Sequence, residues 1–62
     1  MKTILIDYAT ISPAVLESII SKAFDTVLCS WTDMGEDYFE FRVYIYKGTD
    51  LIALENLLGK YV

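Results

Sequence analysis

The run Tyr38-Phe39-Glu40-Phe41-Arg42-Val43-Tyr44-Ile45-Tyr46 alternates without interruption. Phe39, Phe41, Val43 and Ile45 fall on one side, and Tyr38, Glu40, Arg42, Tyr44 and Tyr46 fall on the other. Side chains of a β-strand point alternately to opposite faces, so this is the pattern of a strand with one buried face. At about 3.3 Å per residue it predicts a strand roughly 30 Å long, above the usual length. The rest of the chain is organised around it.

Ahead of it, Thr3–Tyr8 is a short apolar, β-branched run and reads as a strand. Ile4, Ile6 and Tyr8 share one side and Leu5 and Asp7 the other, which leaves its inner side open. Ser12-Pro13 then opens a helix, because serine accepts hydrogen bonds from free N–H groups of the first turn and proline fits the first helical position. Val15, Leu16, Ile19, Ile20, Ala23 and Phe24 follow at helical spacing, and the helix is expected to end near Phe24. Thr26–Thr32 is the second strand, with Val27, Cys29 and Trp31 alternating against Leu28, Ser30 and Thr32. Asp33-Met34-Gly35-Glu36 is a turn, so this strand and the long one form an antiparallel hairpin. Thr49 or Asp50 caps a second helix whose Leu51, Ile52, Ala53, Leu54, Leu57 and Leu58 predict coverage on most sides, with Gly59 as its stop. Lys60-Tyr61-Val62 either extends that helix or adds a scrap of strand.

The order is βαββα within residues 1–62, one small α+β domain. Its simplest solution is a three-stranded antiparallel sheet in order 1-3-2 with both helices on one face. This resembles a truncated ferredoxin-like fold, a split βαβ unit without its fourth strand. The resemblance implies a bare edge at Thr3–Tyr8, where the fourth strand would pair, and hence a homodimer formed there or by stacked sheets, with a monomer whose tail covers that edge as the alternative. It carries no functional motif.

Composition narrows the functional classes. With 62 residues, 55% of them hydrophobic, the chain carries more apolar surface than so small a core takes in, and association with itself or a partner is the natural outlet. A single Cys29 and no His exclude an intrachain disulfide and a Cys₄ or Cys₂His₂ zinc site. A reducing, cytoplasmic setting is expected. Met1–Ile6, interrupted by Asp7, is too short for a signal peptide, and no apolar run reaches the length of a membrane span. The net charge of −4, from 5 basic and 9 acidic residues, opposes binding to phosphate backbones.

Two surfaces stand out. The first is the outer side of the long strand, Tyr38, Glu40, Arg42, Tyr44 and Tyr46. Tyrosine and arginine combine contact area with a polar tip and are enriched where proteins meet. The plain alternative is cross-strand packing of the tyrosines around an ordinary Glu40–Arg42 surface pair. A rival reading is base stacking on Tyr44, Tyr46 and Tyr8, or small-ligand binding; RNA-recognition domains of related topology have glycines in the central strand, which Tyr38–Tyr46 lacks. The second surface is the acidic group Asp33, Glu36, Asp37 and Glu40 around the hairpin turn. Carboxylates spaced this way can imitate phosphates and block a DNA-binding enzyme, whereas the spacing does not match a calcium loop; against both stands a simply solvated turn.

Glu17-Ser18-Ile19 and Tyr38-Phe39-Glu40-Phe41 are similar to segments of small acidic phage inhibitors of DNA-processing enzymes, those of uracil-DNA glycosylase among them. Both strings are short and the order of elements differs, so the chain is not placed in that family. Cys29 reads as a structural thiol pointing inward beside Val27 and Trp31, and Trp31 as a core plug at the sheet end, with an interface anchor as the alternative. No catalytic set, cofactor motif or metal ligand set is found. The sequence therefore predicts a small acidic protein-binding module, an inhibitor or regulator, with another protein as its partner.

Overall fold

The long strand, β3 (Tyr38–Ile45), lies between β1 (Lys2–Asp7) and β2 (Val27–Asp33) in an antiparallel sheet of order β1-β3-β2. The computed structural model describes residues 2–61. The α+β class, the βαββα order and the sheet topology are those expected, with strand bounds shifted by a residue. Register fixes what the sequence of β1 left open. Ile4 stands opposite Phe41 and Ile6 opposite Phe39, so Ile4 and Ile6 point inward and Leu5 outward. Tyr8 continues the inner side, its ring centroid 4.9 Å from that of Phe39.

Helix α1 (Pro13–Ala23) connects β1 to β2. Ser12 is extended and its Oγ accepts the Val15 N–H at 3.4 Å, while Pro13 occupies the first turn, where its missing N–H costs nothing. The helix ends where Phe24 returns to an extended conformation, its N–H donating to the Ile20 carbonyl. Helix α2 (Leu51–Leu58) follows β3. Asp50, rather than Thr49, is its cap, accepting the Ala53 N–H at 3.1 Å. Thr49 instead ties the turn to the sheet: its Oγ1 donates to the Tyr46 carbonyl at 2.8 Å and lies 2.6 Å from Thr26 Oγ1. Gly48 in that turn has φ +96° and Gly35 in the hairpin turn +123°, conformations that L side chains rarely adopt. Gly59 caps the end of α2, as expected. It keeps a right-handed conformation and the backbone tightens into a 3₁₀ turn over Gly59–Tyr61; Val62 lies outside the described residues.

Both helices cover one side of the sheet. Leu16 and Ile20 of α1 and Leu54 and Leu58 of α2 meet Ile6, Val27, Phe39, Phe41 and Val43, all buried. Two expectations fail here. Helix α2 is not covered on most sides: Leu51 and Ile52 are exposed, Ile52 at 74%. Three strands spaced about 4.8 Å apart make a sheet about 14 Å wide, and two helices of about 10 Å diameter fill it. No other element among the described residues covers the far side of α2, which reaches the core through Leu54 and Leu58 one turn apart. Trp31 is likewise no core plug. It shares the inner side, opposite Phe41, but on an edge strand toward the hairpin turn, and is 37% exposed. No helix among the described residues is long and apolar enough to cross a membrane.

Candidate protein-binding face

The other side of the sheet carries no helix among the described residues. Register brings three rows together on it. Leu28 stands opposite Tyr44, Asp7 opposite Tyr38, and between them Thr3 and Ser30 flank Arg42 while Leu5 and Thr32 flank Glu40. Tyr46 follows just past the strand end, where its N–H still donates to the Thr26 carbonyl at 3.2 Å. Tyr38, Glu40, Arg42, Tyr44 and Tyr46 thus share one face, as their alternation predicts. Leu5 and Leu28, 54% and 58% exposed, belong to it as well. The sequence reading missed these two because their side depends on strand register, although the alternation of Leu28 with Cys29 already separates it from the inner side.

The centre of the face is polar and internally satisfied. Arg42 donates from Nε to Ser30 Oγ at 3.1 Å, from Nη1 to Glu40 Oε1 at 2.6 Å and from Nη2 to Thr32 Oγ1 at 2.9 Å. Same-face residues two apart on β3 and their neighbours on β2 converge because side chains two apart in a strand stand side by side. The Glu40 hydrogen bond, with a smaller share from Tyr44, holds the guanidinium above even its usual value against the opposing effect of burial. Its charge is answered by Glu40, so the middle of the face is close to neutral and its tyrosines and leucines lie around a fixed polar pair.

The acidic group divides. Glu40 belongs to the face and to Arg42, not to the turn. Asp33, Glu36 and Asp37 stay together at the hairpin end, all exposed. Tyr8 N–H donates to the Asp37 carbonyl at 2.9 Å and Asp7 accepts the Ala9 N–H at 2.7 Å, which brings Asp7 to the same end of the molecule. Among the described residues no three His, Cys, Asp or Glu side chains are placed to hold a metal ion, and no pocket opens. Cys29 points inward, half-buried against the core. Burial, and secondarily the carboxylate of Glu17, push its thiol up from the ordinary value, the opposite of what a nucleophile needs.

No protein-family model, no curated protein and no solved structure matches this chain. Its function is therefore argued from the face itself.

Proposed function

We propose that this chain is a protein-binding module that engages another protein through the open face of its sheet, acting as an inhibitor or regulator without catalysis of its own, in the cytoplasm. One observation carries the reading. Tyr38, Tyr44, Tyr46, Leu5 and Leu28 are exposed on either side of an Arg42–Glu40 pair whose hydrogen bonds are already made within the chain. Aromatic area around a pre-satisfied polar centre is what a partner can cover at little desolvation cost. The same pair weighs against a nucleic-acid reading, since the central cation Arg42 is committed to Glu40. The narrower form of the proposal is a phosphate-mimicking inhibitor, in which Asp33, Glu36 and Asp37 at the Tyr38 end add an acidic margin to the contact.

Affinity capture on the tagged chain tests this, with Tyr44→Ala and a charge-reversed Asp33/Glu36/Asp37 variant beside it at low and moderate salt. A protein retained by the native chain and lost by Tyr44→Ala supports the face. Its additional loss from the charge-reversed variant supports the inhibitor form. Retention of the same protein by both variants, or retention of nucleic acid that salt removes, sinks the reading.

A further inference from the structure

The two edges of the sheet are not equivalent. Just past β1 the Tyr8 N–H bonds to the carbonyl of Asp37, the residue before β3, so by the alternation of an antiparallel ladder the even-numbered residues of β1 face β3 and the main-chain groups of Thr3, Leu5 and Asp7 face outward. That edge is short, and the Asp7 carbonyl is taken by the Thr10 N–H at 2.9 Å. At the two ends of β2 the Met34 N–H bonds to the Tyr38 carbonyl and the Tyr46 N–H to the Thr26 carbonyl, so again the even-numbered residues of β2 face β3. The N–H and C=O groups of Val27, Cys29, Trp31 and Asp33 point outward, and no main-chain bond among the described residues takes them. Native proteins guard such edges with proline, lysine, bulges or inward charges. β2 has none of these before Asp33 at its end.

We propose that β2 pairs antiparallel with β2 of a second copy of this chain, joining two three-stranded sheets into one six-stranded sheet. The proposal rests on the edge and not on the tyrosine face. The register that uses every outward residue sets Val27 against Asp33 and Cys29 against Trp31 of the second copy, with Ser30 at the two-fold axis. Each of these pairs exchanges two N–H···O bonds, about eight in all. On the helix side, Trp31 then lies over Cys29 of the second copy, covering two residues that the single chain leaves partly open. Charge selects this orientation. β2 has seven residues, about 23 Å, so antiparallel pairing sets the two acidic hairpin turns at opposite ends, more than two screening lengths of about 8 Å apart. A two-fold perpendicular to the sheet also leaves both tyrosine faces on the same side, as one platform of twice the width.

Amide hydrogen exchange of the full chain, followed by NMR at low and high concentration beside sedimentation of the same samples, tests the pairing. Dimerisation should slow the amides of Cys29 and Trp31 by about tenfold or more and leave those of Thr3 and Leu5 fast. Trp31→Lys, which places a guarding charge on the edge, should remain monomeric with an unchanged circular dichroism spectrum. Tyr44→Ala should dimerise like the native chain, so self-pairing and partner capture can fail independently. A chain that stays monomeric at high concentration overturns the proposal and leaves the edge free for a foreign strand. A dimer whose Cys29 and Trp31 amides still exchange fast overturns it too, in favour of contact through the open face or β1.

Discussion

Adjacent residues of β3 have opposite surroundings. Phe41 and Val43 are fully buried under the helices, while Tyr44 beside them is 42% exposed on the side without helices. The contrast is not one of hydrophobicity alone, since Leu5 and Leu28 stand on the open side. It follows from supply. The described residues form two α-helices, and both are needed to cover one side of a sheet about 14 Å wide. The covered side therefore carries the stability, and the open side is free to carry contacts. Substitutions on either side separate these roles.

The largest expected effect is that of Phe41→Asp. It removes a buried ring, worth about 3–5 kcal/mol, and leaves a carboxylate with no partner in the core. A domain of this size has a total margin of about 3–5 kcal/mol, so the variant should be unfolded by circular dichroism and by the collapse of its NMR dispersion. A folded, monodisperse variant would mean that the two sides are assigned the wrong way round.

A smaller, paired effect sharpens the comparison. Val43→Ala should cost about 2 kcal/mol, because a fully buried side chain is shortened and the packed layer closes over it only in part. Tyr44→Ala, one residue along, should cost less than about 1 kcal/mol, since it gives up only cross-strand contact with Leu28 and its small share in holding Arg42. Urea unfolding of the two variants under one set of conditions reads the difference. If Tyr44→Ala proves the more damaging, the open side is covered in solution.

These sides were readable from the sequence where alternation alone decides them. β3 shows both faces at once, and Ser12-Pro13 marks the start of α1 by chemistry that needs no tertiary context. β1 was not readable, because Ile4 and Ile6 compete with Leu5 and only pairing with Phe41 and Phe39 chooses between them. Trp31 shows the limit more sharply. Alternation gives the side on which a residue points but not how far the covering layer extends, and the layer ends before Trp31. Helix α2 fails for a related reason: apolar residues on most of its sides predict cover on most sides, but cover requires neighbours that the described elements do not supply. Within the site, the tyrosine row was legible as a set. The satisfaction of Arg42 was not, because Ser30 and Thr32 arrive from β2 through register. Glu40 is close in sequence to the acidic turn and also belongs to the tyrosine row, and its hydrogen bond to Arg42 places it with the row.

Cys29 grades the covered side from within and gives the smallest expected effect. Val27 is buried, Cys29 half-buried and Trp31 exposed, so along β2 the cover thins toward the hairpin turn. A thiol at the margin of the layer is pushed up first by burial and second by Glu17. In the folded chain it should therefore react with iodoacetamide more slowly than in the urea-unfolded chain at neutral pH, and reach its full rate only above the ordinary thiol range. Because the folded value exceeds the unfolded one, the associated stability is complete below the unfolded thiol range and is lost as pH rises through the folded value. Glu17→Gln removes the smaller cause and keeps the larger, so the alkylation midpoint should fall part of the way back. A full return would assign the shift to Glu17 and leave burial of Cys29 with no share. No movement would assign it to burial alone, and the layer over β2 would then be thicker at Cys29 than its half-exposure implies.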